Sequence, residues 1–285
     1  MNSATASPEP AAARAAPRHR SHATMHLLML VATVCWAANI VAGKEAVRDF
    51  GALALAQLRA VGAALVFALL FFAWRHRPRP RLTRREWWLM IALGLSGITL
   101  NQLFFITGVE HTSVAHTSLI VALGPVMVLV LSCAARLEGL TILKLAGMLV
   151  SFGGVATLSF GPVAKAGGAH WQGDLIVLAS SAVFACYTIL IKEAAARFDA
   201  LTLNTLVFGL GTLMLAPLGA PALPAVRWSA LPALTWWSLG YMILFGSVVP
   251  YLIYAFAMTE LAASRASAFS YLQPVIATAL GIWLL

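Results

Sequence analysis

Acidic residues are scarce in this sequence. Ten Asp and Glu stand against 19 Lys and Arg in 285 residues, and the acids fall in the N-terminal tail, in polar breaks or at the ends of apolar runs. No carboxylate stands deep in an apolar run, where a proton relay across a membrane normally keeps one. Charge of either sign is low as well, 10% of residues, while 61% are hydrophobic. Soluble domains carry roughly 25% charged and 45–50% apolar residues, so a soluble enzyme and a disordered chain are excluded. Cysteine is nearly absent: Cys35, Cys133 and Cys186 all lie in apolar stretches, where an odd number gives no disulfide framework and packing is the expected role. No zinc-ligand cluster, phosphate-binding glycine loop or cofactor motif is present, and no metal or cofactor is expected.

What is present is a series of apolar blocks near the length of about 20 residues that crosses a bilayer. Their approximate bounds are 25–43, 52–73, 87–108, 114–134, 142–160, 174–194, 200–219, 234–256 and 262–285. Spanning segments satisfy their backbone within themselves or in a closed barrel, and unbroken Leu, Ala, Val and Gly without period-2 alternation favours helices. The expected fold is an all-α polytopic bundle of nine helices, preceded by a disordered cytoplasmic tail over 1–24. The first block is too long, and has too many successors, for a cleaved signal peptide.

The net charge of +9 is a topology signal rather than a nucleic-acid patch. Arg75, Arg77, Arg79, Arg81, Arg84 and Arg85 crowd one loop. With the N-terminus in the cytoplasm, 14 Lys and Arg fall inside, 4 outside (Lys44, Arg48, Lys165, Arg227), and Arg59 lies within a span. The bias places the N-terminus inside, in a cell (inner) membrane.

Shifting the chain against itself by 148–149 residues aligns two halves. Phe184-Ala-Cys-Tyr187 falls on Trp36-Ala-Ala-Asn39, Lys192-Glu193 on Lys44-Glu45, and Trp236-Trp237 on Trp87-Trp88. Gly246 falls on Gly97, and Gln273-Pro274-Val275 on Gly124-Pro125-Val126. A first unit of five helices is odd, so the second enters from the opposite side. Inverted repeats of this kind are a recurring architecture of secondary transporters, with the solute site where the copies meet.

These residues resemble a known family. The Trp36-Ala-Ala-Asn39 to Lys44 run, Arg59, the Pro125 helix followed by Arg-Leu-Glu138-Gly-Leu-Thr, and the glycines Gly147, Gly153 and Gly154 are similar to the first half of an EamA-type drug/metabolite transporter. Gln-Gly-Asp174 and Gln273-Pro274 are similar to the second half. The resemblance covers roughly 26–285, divided into a five-helix repeat over 25–160 and a four-helix, incomplete repeat over 172–285. It implies ten helices, both termini in the cytoplasm and export of small metabolites. After Pro274 only 11 residues remain, so the tenth helix is missing and a truncated sequence is expected.

Polar and aromatic groups at depth face a cavity or bond between helices, because lipid leaves them unsatisfied. Trp36, Asn39, Asn101, Gln102, Tyr187, Tyr251, Tyr254, Ser270 and Gln273 are the candidates for lining a solute path. Interhelical packing is the competing role for each. Pro125, Pro250 and Pro274 lie inside spans, where a proline kinks the helix and frees the carbonyl four residues back. Pro125 and Pro274 occupy equivalent places and are the candidate hinges. Arg59 is expected in a structural ion pair with Glu45, Asp49 or Glu110, and His116 at an interface.

The expected activity is export of a small-molecule solute, such as an amino acid or drug, by alternating access between the repeats. The bilayer is the other partner; oligomeric state, energy source and solute identity are not readable. Two rivals come from other classes. Gly94-Leu-Ser96-Gly97 matches the G-x-S-G pattern around an intramembrane serine-protease nucleophile, but His111, His116 and His170 lie at span ends or in loops, at a different depth. A non-transporting membrane scaffold is the other.

Overall fold

The computed structural model describes residues 22–74, 82–159 and 171–284. The expected tail up to residue 21, Arg75, Arg77, Arg79, Arg81 and Lys165 lie outside the described residues. Among the described residues there are nine helices and no strand. They are α1 (His22–Phe50), α2 (Ala52–Ala73), α3 (Arg84–His111), α4 (Val114–Ala134), α5 (Ile142–Ser159), α6 (Trp171–Ala195), α7 (Ala200–Gly219), α8 (Ala233–Glu260) and α9 (263–284). By length and composition, α1–α4 and α6–α8 are able to cross a bilayer. We call the end where α1 begins the near end and the opposite one the far end.

α1 is longer than the apolar block that announced it. It begins at His22, inside the expected tail, and runs on through Lys44 and Arg48 to Phe50. Gly51, with φ of 70°, turns the chain into α2. A charge ends an apolar run but not a helix, and here the far-end carbonyls of α3 absorb it. Lys44 Nζ donates to Val109 O at 2.8 Å, Glu110 O at 3.2 Å and Thr112 O at 2.7 Å. A cation on the last carbonyls of a helix satisfies groups the helix itself leaves open. Lys192 on α6 repeats the arrangement at the near end of α8, donating to Met258 O at 2.6 Å and Leu261 O at 2.8 Å.

The two halves pack through twofold-related pairs. α1 lies against α8 and α3 against α6; α2 lies against α7 and α4 against α9. α1 runs from near to far, whereas α6 starts at the far end, where Asp174 accepts from Thr112 Oγ1 at 2.6 Å and meets His116 Nδ1 at 3.2 Å. The halves are therefore inverted copies. Exposed Leu27, Leu65, Leu69, Leu213 and Val130 cover the outside. Trp87 and Trp88 stand exposed at the near end, and Trp171, Trp236 and Trp237 at the far end, the pattern of two interfacial aromatic belts.

α-Geometry breaks at matching places. α3 passes through a π-helical segment at Gly94–Leu100, and α8 through one at Leu244–Val248. The three span prolines each follow such a break. Pro125 comes after a turn at Ala122 and Leu123, Pro250 after the second π segment, and Pro274 after a 3-10 turn at Phe269–Leu272. Each begins a new helical segment, a position that does not need the N–H proline lacks.

Candidate functional site

A cavity of about 90 Å³ opens between the halves, near the middle of α1, α4, α6 and α9. On a scale where one water takes roughly 10–15 Å³, this is room for about six to nine waters or one compact organic group. The cavity is built from repeat-related pairs, shifted by 148 or 149 residues: Trp36 with Phe184, Ile40 with Thr188, Phe105 with Tyr254, Val121 with Ser270, and Gly124 with Gln273. In the last four pairs the second half supplies the more polar wall.

An aromatic cluster frames one side. The Trp36 ring meets Phe184 at 5.9 Å, Tyr251 at 6.0 Å and Tyr254 at 5.4 Å between centroids, all edge to face. Tyr254 and Thr188 share a hydrogen bond at 2.8 Å. Asn101 Nδ2 donates to Ser180 Oγ at 3.1 Å, tying α3 to α6. Ser181 and Asn39 also line the cavity, and Ser181 Oγ and Asn39 Oδ1 have no hydrogen-bond partner among the described residues.

Of the residues expected to line a solute path, Trp36, Asn39, Asn101, Tyr251, Tyr254, Ser270 and Gln273 meet around this cavity, and Pro125 borders it. Gln102, Tyr187 and Pro274 do not. Gln102 is buried elsewhere with both amide atoms unpartnered, and Tyr187 packs its ring on Gly97. A Cβ at Gly97 would overlap that ring. At the repeat-related position, a Cβ at Gly246 would overlap the Asn39 amide. Each π segment thus needs glycine where the first helix of the other half crosses it.

Arg59 corrects an expectation. It lines the cavity and is 4% exposed, but its partners are not carboxylates. Nε donates to Ser247 Oγ and Nη2 to Gly246 O, both at 2.9 Å. Pro250 has no N–H to offer the carbonyl four residues back, and that carbonyl is Gly246. Burying a guanidinium in a span costs a few kcal/mol unless it is partnered, so this backbone contact is part of what holds it. In the sequence, Pro250 rather than any acid is the residue that points to this carbonyl. At the matching carbonyl in the first half, Gly97 O accepts from Tyr251 Oη at 3.1 Å.

The halves are also joined outside the cavity. At the near end, Glu138 in the α4–α5 connection accepts from Ser264 N at 3.0 Å, from Ser264 Oγ, and from Lys144 Nζ at 2.8 Å. Burial raises the Glu138 carboxyl, but the hydrogen bonds from Lys144 and Ser264 outweigh it and hold the group below its ordinary value. At the far end, Asp49 accepts from Thr235 Oγ1. Ser96 Oγ donates to Ala92 O at 2.7 Å, and no histidine bonds it among the described residues. No group of three metal-ligating side chains converges among the described residues.

Known proteins of similar sequence include several described as transporters. A protein of Archaeoglobus fulgidus described as an uncharacterized transporter is 26% identical over 261 residues, covering 90% of this chain and 88% of that protein. One of Streptantibioticus cattleyicolor, described as a probable terminal-alkyne amino-acid exporter, is 27% identical over 260 residues, covering 90% and 84%. A crystal structure superposes with a TM-score of 0.70 at 18% identity, over 92% of this chain and 88% of the other, which supports the fold. The EamA-like transporter family matches twice, over residues 23–160 and 171–285. With one match on each inverted copy, this multi-pass membrane chain belongs to the EamA-like transporter family.

Proposed function

We propose that the chain exports a small organic solute across a cell (inner) membrane by alternating access between its two halves. The observation that carries this reading is the cavity at the seam of the inverted copies, lined by Trp36, Asn39, Asn101, Tyr251, Tyr254, Ser270 and Gln273. A polar, aromatic-framed site near the bilayer midplane is where inverted-repeat transporters bind solute. The amino-acid exporter among its relatives supports a solute of similar size. The Lys and Arg bias supports a cytoplasmic N-terminus and near end. Pro125 and Pro274 act as paired bends at the helix breaks that border or lie beside the cavity.

The direct test is uptake into sealed proteoliposomes holding the purified chain, with labelled leucine, phenylalanine, glucose and ethidium as probes. Movement of at least one above protein-free vesicles, lost in Trp36→Ala and Gln273→Ala, is the expected result. No movement of any probe, with no resistance in cells challenged by toxic amino acids and drugs, removes the reading. Pro125→Ala and Pro274→Ala separate the hinge role: unchanged transport in both leaves the prolines as static bends. Cysteines at Gly139 and Arg227 report orientation, the first labelled only from the cytoplasm and the second only from outside.

A further inference from the structure

Arg59 carries more charge than its structural contacts use. A guanidinium has five N–H donors, and two of them go to Ser247 Oγ and Gly246 O. The same carbonyl-capping task at Gly97 is done by the neutral Tyr251 hydroxyl. Holding a π segment therefore does not require a cation. Arg59 also has no carboxylate partner among the described residues, and no Asp or Glu is among the residues lining the cavity. Asn39, whose amide reaches the same glycine, lines the cavity beside it.

A buried cation facing a polar cavity, with donors to spare and no counter-charge, is completed by an anion from outside the chain. We propose that Arg59 is the anion subsite of this cavity and that the transported solute bears a carboxylate seated on it. Ile40, Phe105 and Val121 give the remainder of such a solute an apolar wall. An organic cation meets Arg59 with no acid to offset the repulsion, so amine drugs are excluded. The inference rests on the reading of the cavity as the solute site, and it narrows the solute class.

The test uses three probes of one shape: isovalerate, isovaleramide and isopentylamine, titrated against the purified full chain by calorimetry. Isovalerate is expected to bind at least about tenfold more tightly than the other two, the scale of one charge-assisted hydrogen bond. Arg59→Lys keeps the preference, and Arg59→Gln, which retains a donor for Gly246 O, abolishes it. Equal binding of the amide, preference surviving in Arg59→Gln, or no isovalerate binding at millimolar concentration overturns the proposal. Should Arg59→Gln elute as aggregate, the wild-type ranking of the three probes decides alone. Vesicle counterflow separates the two levels. Solute movement without carboxylate preference sinks the anion subsite and leaves transport, whereas carboxylate binding without movement does the reverse.

Discussion

The two halves solve one backbone problem with different side chains. Each has a π segment in its third helix, a glycine there for the crossing helix of the other half, and a lysine on the end of that third helix. Around the cavity the resemblance stops. Tyr251 caps the first-half carbonyl and Arg59 the second; Ile40 and Phe105 face apolar where Thr188 and Tyr254 share a hydrogen bond. Symmetry is kept where helices must cross and given up around the cavity. A shared scaffold with diverged lining suits the proposed role of the cavity as a site for one asymmetric molecule.

The glycines test the shared part most severely. Gly97→Ala and Gly246→Ala each force a methyl into an occupied position, and overpacking of this kind costs about 1–3 kcal/mol. Both variants are expected to lower the melting temperature in detergent by similar amounts. A large loss in one and none in the other breaks the equivalence of the two crossings.

Lys44→Met and Lys192→Met come next. Hydrogen bonds to a charged group are worth about 1.5–3 kcal/mol, and less here, because both lysines are half-exposed and solvent screens their contacts. The contacts lie at opposite ends, so thermal-shift losses should add in the double variant within about 0.5 kcal/mol. Non-additivity would mean that the ends communicate.

A smaller effect is expected from Thr188→Val with Tyr254→Phe, which makes the second wall resemble the first. Removing both partners of a buried hydrogen bond together is nearly neutral, so stability should move by less than about 1 kcal/mol. Solute selectivity, read by competition in vesicles, should shift toward more apolar molecules. Unchanged selectivity would leave the asymmetry of the walls without consequence.

The smallest effect depends on pH. Because the folded Glu138 carboxyl sits below its ordinary value, its contribution is complete above the usual glutamate range and is lost as pH falls through and below it. Melting curves of the wild type and Glu138→Gln should differ at neutral pH and converge in acid. A gap that widens on acidification contradicts the bonded carboxylate.

Much of this fold was legible because apolar runs of bilayer length leave few alternatives. The repeat was readable from sparse matches, and Lys192 over Lys44, weak as a pair of letters, turned out to mark equivalent helix caps. Span ends were less legible. α1 extends past its apolar block at both ends, since charge near a helix end signals the membrane surface and not the end of the helix. Depth along a span could be estimated, but which face a residue occupies could not, because these helices are apolar on every side. Asn101 and Gln102 are neighbours at one depth, yet Asn101 lines the cavity and Gln102 is buried away from it. The π segments left no signature except Gly97 and Gly246. The partners of Arg59 were not legible because one is a backbone carbonyl and both lie 187 or 188 residues away.

The lysine caps carry a mechanical consequence. One staples α1 to α3 at the far surface, and the other staples α6 to α8 at the near surface. Each half therefore has its first and third helices pinned at a foot, and the two feet stand on opposite sides of the lipid. Levers mounted this way, one rooted above and one below, are the anchorage that the proposed rocking of one half against the other calls for.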